Sequence, residues 1–194
     1  MLGKTALLEA IAGKNRGLLA NETDKQAILM AIAQLEDHNP TARPVESGLL
    51  NGNWRLLYTT SRGLLNIDQF PLLKLGQIYQ CIRVQSKSVY NIAEVYGIPY
   101  LEGLVSVVAS FAPLSERRVQ VKFNRSILSL QGLLGYQSPK DLIQQIETGK
   151  KLAAIDFGLD SRNQQGWLDI TYLDEDLRIG RGNEGSVFVL SRVS

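Results

Sequence analysis

Three groups of residues in this sequence have types and spacing that could support chemistry. The stretch "GRGNEGSV", which begins at Gly180, fits the glycine pattern of dinucleotide-binding loops and of protein-kinase phosphate loops. A single histidine, His38, and a single cysteine, Cys81, are the only residues of their kinds. Paired carboxylates can act as general acid and base, and four lie close together in sequence: Asp169, Asp174, Glu175 and Asp176.

The glycine stretch lacks the surroundings that a nucleotide site requires. A dinucleotide fingerprint lies between a strand and a helix whose N-terminus faces the pyrophosphate. Here Val187 to Leu190 has the composition of another strand, and no helical pattern follows it. We therefore expect a β-hairpin in which Gly and Asn supply positive φ, and we expect no ATP, GTP or NAD binding.

The other candidate groups also have simpler structural interpretations. Three of the four carboxylates lie in a predicted turn, "LDED", where Asp is favoured because it bonds to nearby backbone. His38, in "EDHNP", is typical of a helix end before Pro40. One cysteine excludes an internal disulfide and a multi-cysteine metal site. Because no nucleophile–base pair is evident, we predict a non-enzymatic protein without a metal or cofactor.

Composition narrows the classes of partner. Lys and Arg total 21 and Asp and Glu total 19, so the net charge is only +2, and no basic cluster marks a nucleic-acid site. No secretory signal and no apolar run of 18 residues is present, so we expect a soluble or peripheral protein. Arg117–Arg118 and Lys150–Lys151 could face anionic lipid headgroups, although solvated turns explain them as well.

Helical periodicity is confined to three segments. The first runs from Lys4 to Leu19 and could cap a barrel or lie on a membrane. A second helix is predicted to begin at Thr23, which has capping-box spacing to Gln26. Ser138–Pro139 reads as the N-cap and first residue of a short third helix.

The remainder alternates with a period of two, which is typical of half-buried strands. The clearest case is "RVQVKFN", in which Val119, Val121 and Phe123 alternate with polar residues. About eight strands with short antiparallel connections predict a mainly β fold, a sandwich or barrel with N-terminal helices and one short helix before the last strands. The stretch Gly63–Gly76 has no clean period and receives no assignment.

Three segments give the chain a family resemblance: "NGNWRLLYTTS" from Asn51, "YLDEDLRIGRGNEGSVFVL" from Tyr172 and, as weaker support, "RVQVKF" from Arg118. They resemble the plastid lipid-associated proteins, or fibrillins, of plastids and cyanobacteria. The resemblance covers roughly Leu49 to the end, and it implies a lipocalin-like antiparallel β-barrel. We therefore divide the chain into an N-terminal helical segment, 1–48, and a barrel domain, 49–194.

The lipocalin signature Gly-x-Trp is present as Gly52-Asn53-Trp54. In lipocalins this Trp packs at the base of the barrel, and an Arg from the last strands lies across its ring. The resemblance assigns that role to Arg178 or Arg181, since a guanidinium stacks favourably on an indole. We predict that these residues close the barrel and take no part in catalysis.

The resemblance also implies a function. It suggests binding of prenylquinones, carotenoids or acyl lipids, a peripheral place at thylakoid membranes or lipid bodies, and contact with an enzyme of prenylquinone synthesis. The absence of a transit peptide fits a cyanobacterial protein in the cytoplasm or on the thylakoid, or a plastid protein whose transit peptide has been removed.

Strand parity selects a set of candidate ligand-binding residues in the barrel interior. A shift of register by one residue would invert any part of that set. The set comprises Leu56, Tyr58, Val105, Val107, Val119, Val121, Phe123, Ile170 and Tyr172. Two alternatives remain open: a structural coat or scaffold protein with a filled barrel and no ligand, and an enzyme of lipid metabolism, which the lack of a nucleophile–base pair disfavours.

Overall fold

The computed structural model describes residues 2–61, 74–97, 102–159 and 165–193. Most of the segment Gly63–Gly76 lies outside these residues. Two short 3₁₀ turns occupy Gly48–Leu50 and Asn183–Gly185. The helices are α1 (Leu2–Ile11), α2 (Glu22–Asp37), α3 (Gln131–Leu134) and α4 (Pro139–Glu147).

Strands make up most of the described chain. They are β1 (Gly52–Thr59), β2 (Lys74–Arg83), β3 (Ser88–Tyr96), β4 (Gly103–Pro113), β5 (Arg118–Leu130), β6 (Ile155–Gly158), β7 (Gln165–Leu173), β8 (Leu177–Gly182) and β9 (Val187–Val193).

The predicted fold class is confirmed. The strands hydrogen bond in the order β4-β3-β2-β1-β9-β8-β7-β5-β6, and β4 also pairs with β5. Eight strands are thereby joined in a closed cycle, which is the connectivity of a lipocalin-like barrel. The ninth, β6, pairs with β5 and was not predicted, because four residues are too few for their alternation to mark a strand.

The helix boundaries differ from the sequence-based expectation at the N-terminus. Helix α1 ends at Ile11 rather than near Leu19, and the following turn carries positive φ at Asn15 and Arg16. The N-cap of α2 is Asn21, which forms a capping box with Asp24; the predicted box at Thr23 is wrong. Asn21 occupies the N-cap position because its side-chain oxygen accepts a hydrogen bond from the backbone N–H of Asp24, at 2.8 Å.

Helix α4, the third helix that the sequence predicted, begins as expected. The hydroxyl of Ser138 accepts a hydrogen bond from the backbone N–H of Asp141, and Pro139 occupies the first turn, where its missing N–H costs nothing. His38 is the C-cap residue of α2, with its Nδ1 2.8 Å from the carbonyl oxygen of Gln34.

The chain divides into two compact units. The first comprises Met1–Ser61, Pro113–Gln120 and Gly166–Ser194. In it the buried sides of α1 and α2 pack on one face of β1, β7, β8 and β9. This face, the helix-covered face, contains Leu7, Ile11, Ile28, Ile32, Leu35, Tyr58, Tyr172, Leu177, Ile179, Val187 and Val189.

The second compact unit comprises Arg62–Ala112 and Val121–Gln165. Here α3 and α4 cover one face of β2, β3 and β4. The core beneath them contains Cys81, Tyr90, Ile92, Leu104, Leu134, Leu142 and Ile143. Each unit thus buries one sheet face under helices. The opposite face of each unit is the one that is not covered by these helices.

Candidate functional site

Trp54 is the centre of the opposite face in the first unit. Its side chain is 0% exposed, and its indole Nε1 donates to the carbonyl oxygen of Leu50 at 3.1 Å. Two guanidinium groups lie over the ring, that of Arg192 at 4.2 Å from the centroid and that of Arg178 at 5.3 Å. A desolvated cation over an indole contributes about 2 kcal/mol, so this stack is a strong structural element.

Arg192 ties the stack to the chain that precedes β1. Its Nη1 donates to the carbonyl oxygen of Asn51 at 2.9 Å, and its Nη2 donates to that of Leu49. Gly52 has φ +146°, and a Cβ there would collide with the Arg192 guanidinium. Gly52 is therefore required both for its backbone conformation and for the close approach of this arginine.

The sequence offered Arg178 or Arg181 as the arginine that lies across Trp54, and it did not indicate Arg192. Arg178 is 1% exposed and lies over Trp54. Arg181 instead makes a bidentate ion pair with Glu36 of α2, at 2.8 and 2.7 Å. Because residues three apart on a strand point to opposite faces, Arg178 and Arg181 could not both reach Trp54. The direct cross-strand pairing of Trp54 with Arg192 depends on register, which the sequence does not reveal.

Two β-bulges in the first unit place members of the predicted interior set on opposite faces of their strands. In the β1–β9 ladder Leu56 pairs with Leu190 but Tyr58 pairs with Val189, so the parity changes between Leu56 and Tyr58. Val189 belongs to the helix-covered face. Tyr58 therefore packs beneath the helices, whereas Leu56 lies on the face that holds Trp54.

The β7–β8 ladder shows the same change of parity. Ile170 pairs with Gly180, but Tyr172 pairs with Ile179, which lies on the helix-covered face. The prediction that Tyr58 and Tyr172 share an interior face with Leu56 and Ile170 is corrected accordingly. Leu56 and Ile170 themselves are only 3% and 1% exposed.

Tyr172 has a structural hydrogen bond rather than a ligand-facing hydroxyl. Its phenol donates to the carboxylate of Asp174 at 2.6 Å, and burial together with this bond raises the pKa of Tyr172. Asp174 also binds Lys4 at 2.7 Å and accepts from the backbone of Asp176 and Leu177. The predicted turn is confirmed, and its carboxylate organises the chain locally.

The remaining carboxylate of the predicted cluster, Asp169, is also engaged structurally. Arg118 donates to it at 2.6 and 2.7 Å, and the same guanidinium lies 4.0 Å from the Trp167 ring centroid. Among the described residues no group of three His, Cys, Asp or Glu side chains could hold a metal ion. The carboxylates that suggested acid–base chemistry are thus accounted for by turns and ion pairs.

The glycine stretch forms the predicted hairpin. Strand β8 pairs antiparallel with β9, and the backbone N–H of Gly182 donates to Ser186 at 2.8 Å across the turn. Gly185 has φ +72°, in the left-handed region that favours glycine.

The second unit contains an apolar row with a different environment. In the β3–β4 ladder Val105 pairs with Ala93 and Val107 with Asn91, which puts both valines opposite to the face covered by α3 and α4. Both side chains are half-buried.

Strand β5 adds to this row. The Asn124 amide is hydrogen bonded to the Ser110 hydroxyl at 3.1 Å, which puts these two residues on one side of the β4–β5 pair. Their neighbours by alternation, Val121 and Phe123, consequently lie on the side of Val105 and Val107. These last four half-buried residues are called the β4–β5 row. Val119, earlier in β5, is 4% exposed.

The β4–β5 row is followed on its own side by an ion pair. Arg125, two residues after Phe123, donates to Asp156 at 2.8 and 2.5 Å. Hydrogen bonding to Asp156 raises the pKa of Arg125, so the guanidinium stays charged. The row is therefore an apolar surface with one polar end, an arrangement suited to binding an apolar molecule without covalent chemistry.

Sequence reasoning missed a buried acid in the second unit. Glu94 is 8% exposed and accepts hydrogen bonds from the phenols of Tyr136, at 3.0 Å, and Tyr96, at 2.9 Å. Burial, as the larger cause, and the hydrogen bond to Glu94 together raise the pKa of Tyr96 to about 12. Both phenols therefore remain protonated donors, and the triad ties α3 and the loop after it to β3.

No helix among the described residues is both long enough and apolar enough to cross a bilayer.

The fold and the two faces define a class: a mainly β, lipocalin-like protein with a cation-stacked tryptophan and an apolar row. Comparison with known proteins gives the family. A family model, PAP_fibrillin, matches residues 1–191. The chain therefore belongs to the PAP/fibrillin family, whose members are non-enzymatic structural and lipid-associated proteins.

Plant relatives match along nearly the whole chain. A light-induced chloroplastic protein of Solanum tuberosum is 36% identical over an alignment of 215 positions, which covers 96% of this chain and 66% of the relative. A chromoplast-specific carotenoid-associated protein of Cucumis sativus is 34% identical, with the same two coverages. The probable plastid-lipid-associated protein 1 of Arabidopsis thaliana is 35% identical, over 96% of this chain and 67% of its own length.

This chain thus spans about two thirds of the length of these relatives. No solved structure matches it.

Proposed function

We propose that this protein binds a small apolar lipid, of the prenylquinone, carotenoid or acyl class, against the β4–β5 row. The observation that carries the proposal is that four apolar side chains on one side of two neighbouring strands are only half-buried. Apolar surface that leaves water stabilises a complex by about 25 cal/mol per Å². A half-buried row retains such surface for a ligand to cover.

The relatives support the class of ligand and its location. One is named for carotenoid association and another for plastid lipid association, and both are plastid proteins. We propose a peripheral location at thylakoid membranes or lipid bodies, in a plastid or in a cyanobacterium. The ligand would be stored or carried there by burial of its apolar chain.

Two neighbouring residues of β5 test the proposal. Val121 belongs to the β4–β5 row, whereas Lys122 is exposed on the opposite side with Asn124. Val121→Lys introduces a charge where an apolar ligand would bury it, and an unpaired buried charge is costly. We expect this variant to bind a fluorescent fatty-acyl or prenyl probe at least about tenfold more weakly than wild type, and Lys122→Glu to bind it normally.

Circular dichroism of both variants first establishes that they fold. A folded Val121→Lys protein with wild-type affinity would contradict binding at the row. Loss of binding in Lys122→Glu alone would place the ligand on the other side of β5.

A coat or scaffold role without a bound ligand is the second candidate. Exposed apolar side chains around the N-terminal helices favour it, with Leu19 66% and Met30 65% exposed. Such a surface could contact a lipid body or an enzyme of prenylquinone synthesis. Solvent extraction of the purified protein separates the two functions, because a stoichiometric apolar molecule supports ligand binding and its absence supports the scaffold.

A further inference from the structure

An exposed apolar surface lies at one end of the strand order. Strand β6 pairs with β5 and is the last strand in that order. Its Ile155 is 68% exposed and its Phe157 is 44% exposed. They pair with Leu128 and Ser126, which alternate on β5, so both apolar side chains lie on one side of the edge.

Two exposed lysines immediately precede this strand. Lys150 and Lys151 have no carboxylate partner among the described residues. The segment that connects them to β6 is held in place, because Leu152 and Ala154 pack against the core of the second unit. The lysines are therefore kept next to the apolar edge. Together Lys150, Lys151, Ile155 and Phe157 are called the β6 edge surface.

The acidic residue of β6 lies on the other side of the strand and is already neutralised. Asp156 alternates with Ile155 and Phe157, and Arg125 donates two hydrogen bonds to its carboxylate, at 2.8 and 2.5 Å. These bonds hold the pKa of Asp156 below its usual value. The net charge that the β6 edge surface presents is consequently positive.

We infer that the β6 edge surface docks on a lipid bilayer that carries anionic headgroups. Ile155 and Phe157 enter the boundary between headgroups and acyl chains, while Lys150 and Lys151 contact lipid phosphates. At that depth water still reaches the edge of β6 that has no strand partner among the described residues, and it satisfies the backbone groups there. The inference rests on the lipid association in the proposed function, but it does not require a ligand at the β4–β5 row.

The charge pattern distinguishes this surface from the apolar patch around the N-terminal helices. There Lys14 is paired with Asp24 at 2.9 Å, and Lys25 with Glu22 at 2.7 Å. Apolar side chains surrounded by paired charges suit a neutral partner better than an anionic bilayer. At β6, adjacent apolar side chains occur together with lysines that have no carboxylate partner in the described part of the chain.

Vesicle binding by the full chain tests the charge component. We expect wild-type protein to co-sediment with vesicles of phosphatidylcholine and phosphatidylglycerol, less with phosphatidylcholine alone, and less in high salt. Lys150→Glu/Lys151→Glu should lower the partition coefficient at least about tenfold, because each cation near an anionic surface is worth about a fivefold change. Lys25→Glu/Lys87→Glu makes the same change in net charge elsewhere and should alter binding less than about threefold.

A second pair of variants tests the apolar component. Ile155→Ser/Phe157→Ser removes the side chains that enter the bilayer and should lower partition about tenfold. Leu114→Ser/Leu133→Ser removes side chains of similar exposure, 58% and 65%, from elsewhere on the surface and should leave partition unchanged. Circular dichroism and thermal melting of all four double variants show whether each is folded.

Three results would overturn the inference. The first is that wild-type protein does not co-sediment with anionic vesicles. The second is that the edge variants and their controls lose vesicle binding equally. The third is a wild-type dimer, seen by light scattering, that Ile155→Ser/Phe157→Ser dissociates, because the edge would then be covered by a second copy. The probe assay with Val121→Lys uses no vesicles, so it reports separately on the proposed ligand site.

Discussion

The face around Trp54 and the β4–β5 row are both apolar faces opposite a helical cover, yet they differ in how completely they are filled. Around Trp54 the side chains of Leu56 and Ile170 are at most 3% exposed, and an arginine that is 1% exposed completes the packing. In the β4–β5 row every side chain is half-buried. A filled face contributes stability, whereas a face that keeps accessible apolar surface can contribute binding.

Strand patterns alone do not distinguish these two outcomes. Alternation in the sequence shows that one side of a strand is apolar, but it does not show whether other side chains fill the space beside it. Arg178 and Arg192 fill that space around Trp54. We therefore expect substitutions around Trp54 to lower the free energy of unfolding, and substitutions in the β4–β5 row to weaken probe binding.

The largest expected effect is that of Trp54→Ala. A fully buried indole that stacks with two guanidinium groups should cost about 3–5 kcal/mol of unfolding free energy when it is removed. Chemical denaturation measures this cost. Trp167→Ala serves as the control, because Trp167 is half-buried and stacks with one arginine, and it should cost less than half as much. Equal costs for the two variants would contradict the filled face.

Truncation of one side chain in each region should have different effects on stability. Leu56→Ala leaves a cavity in a packed face and should cost about 2–4 kcal/mol. Val107→Ala, at a half-buried position, should cost about 1 kcal/mol or less and should weaken probe binding instead. Comparable destabilisation by both changes would mean that the β4–β5 row is as tightly packed as the face around Trp54.

A smaller, pH-dependent effect is expected from Asp174 in the first unit. Burial raises its pKa, but hydrogen bonds from Lys4, Tyr172 and two backbone N–H groups outweigh burial and leave the pKa below its usual value. The stabilisation is therefore complete above the unfolded pKa of about 3.9 and is lost as the pH falls through the lower folded value.

Asp174→Asn provides the measurement. The variant should be about 1–2 kcal/mol less stable than wild type at pH 6, and the difference should shrink below about pH 4. Asp176→Asn, whose side chain is 82% exposed, is the matched control and should show little difference at either pH. A pH-independent deficit in Asp174→Asn would mean that the ionised carboxylate is not the stabilising form.

The sequence predicted the features that depend on local chemistry. The Ser138–Pro139 helix start, the two turns and the antiparallel class of the fold all follow from residue types at short spacing. Strand β5 keeps an unbroken alternation from Val119 to Phe123, so the sequence placed Val121 and Phe123 on one side of the strand; ligand binding there stays a prediction.

The features that were not predicted depend on register and on tertiary contacts. The bulges in β1 and β7 add one residue each and turn Tyr58 and Tyr172 towards the helices, and no residue type marks these positions. Arg192 reaches Trp54 only because β1 and β9 pair in one particular register. The family resemblance drew attention to an arginine near the tryptophan, but parity was needed to exclude Arg181.

Photo-crosslinking of an apolar ligand tests the difference between the two regions most directly. The protein would be irradiated with a fatty-acyl probe that carries a diazirine, and the labelled residues would be located by mass spectrometry. We expect labels on the strands of the β4–β5 row, at or beside Val105, Val107, Val121 and Phe123, that an excess of unlabelled lipid suppresses. Labels at Leu56 and Ile170, or labels that unlabelled lipid does not suppress, would contradict it.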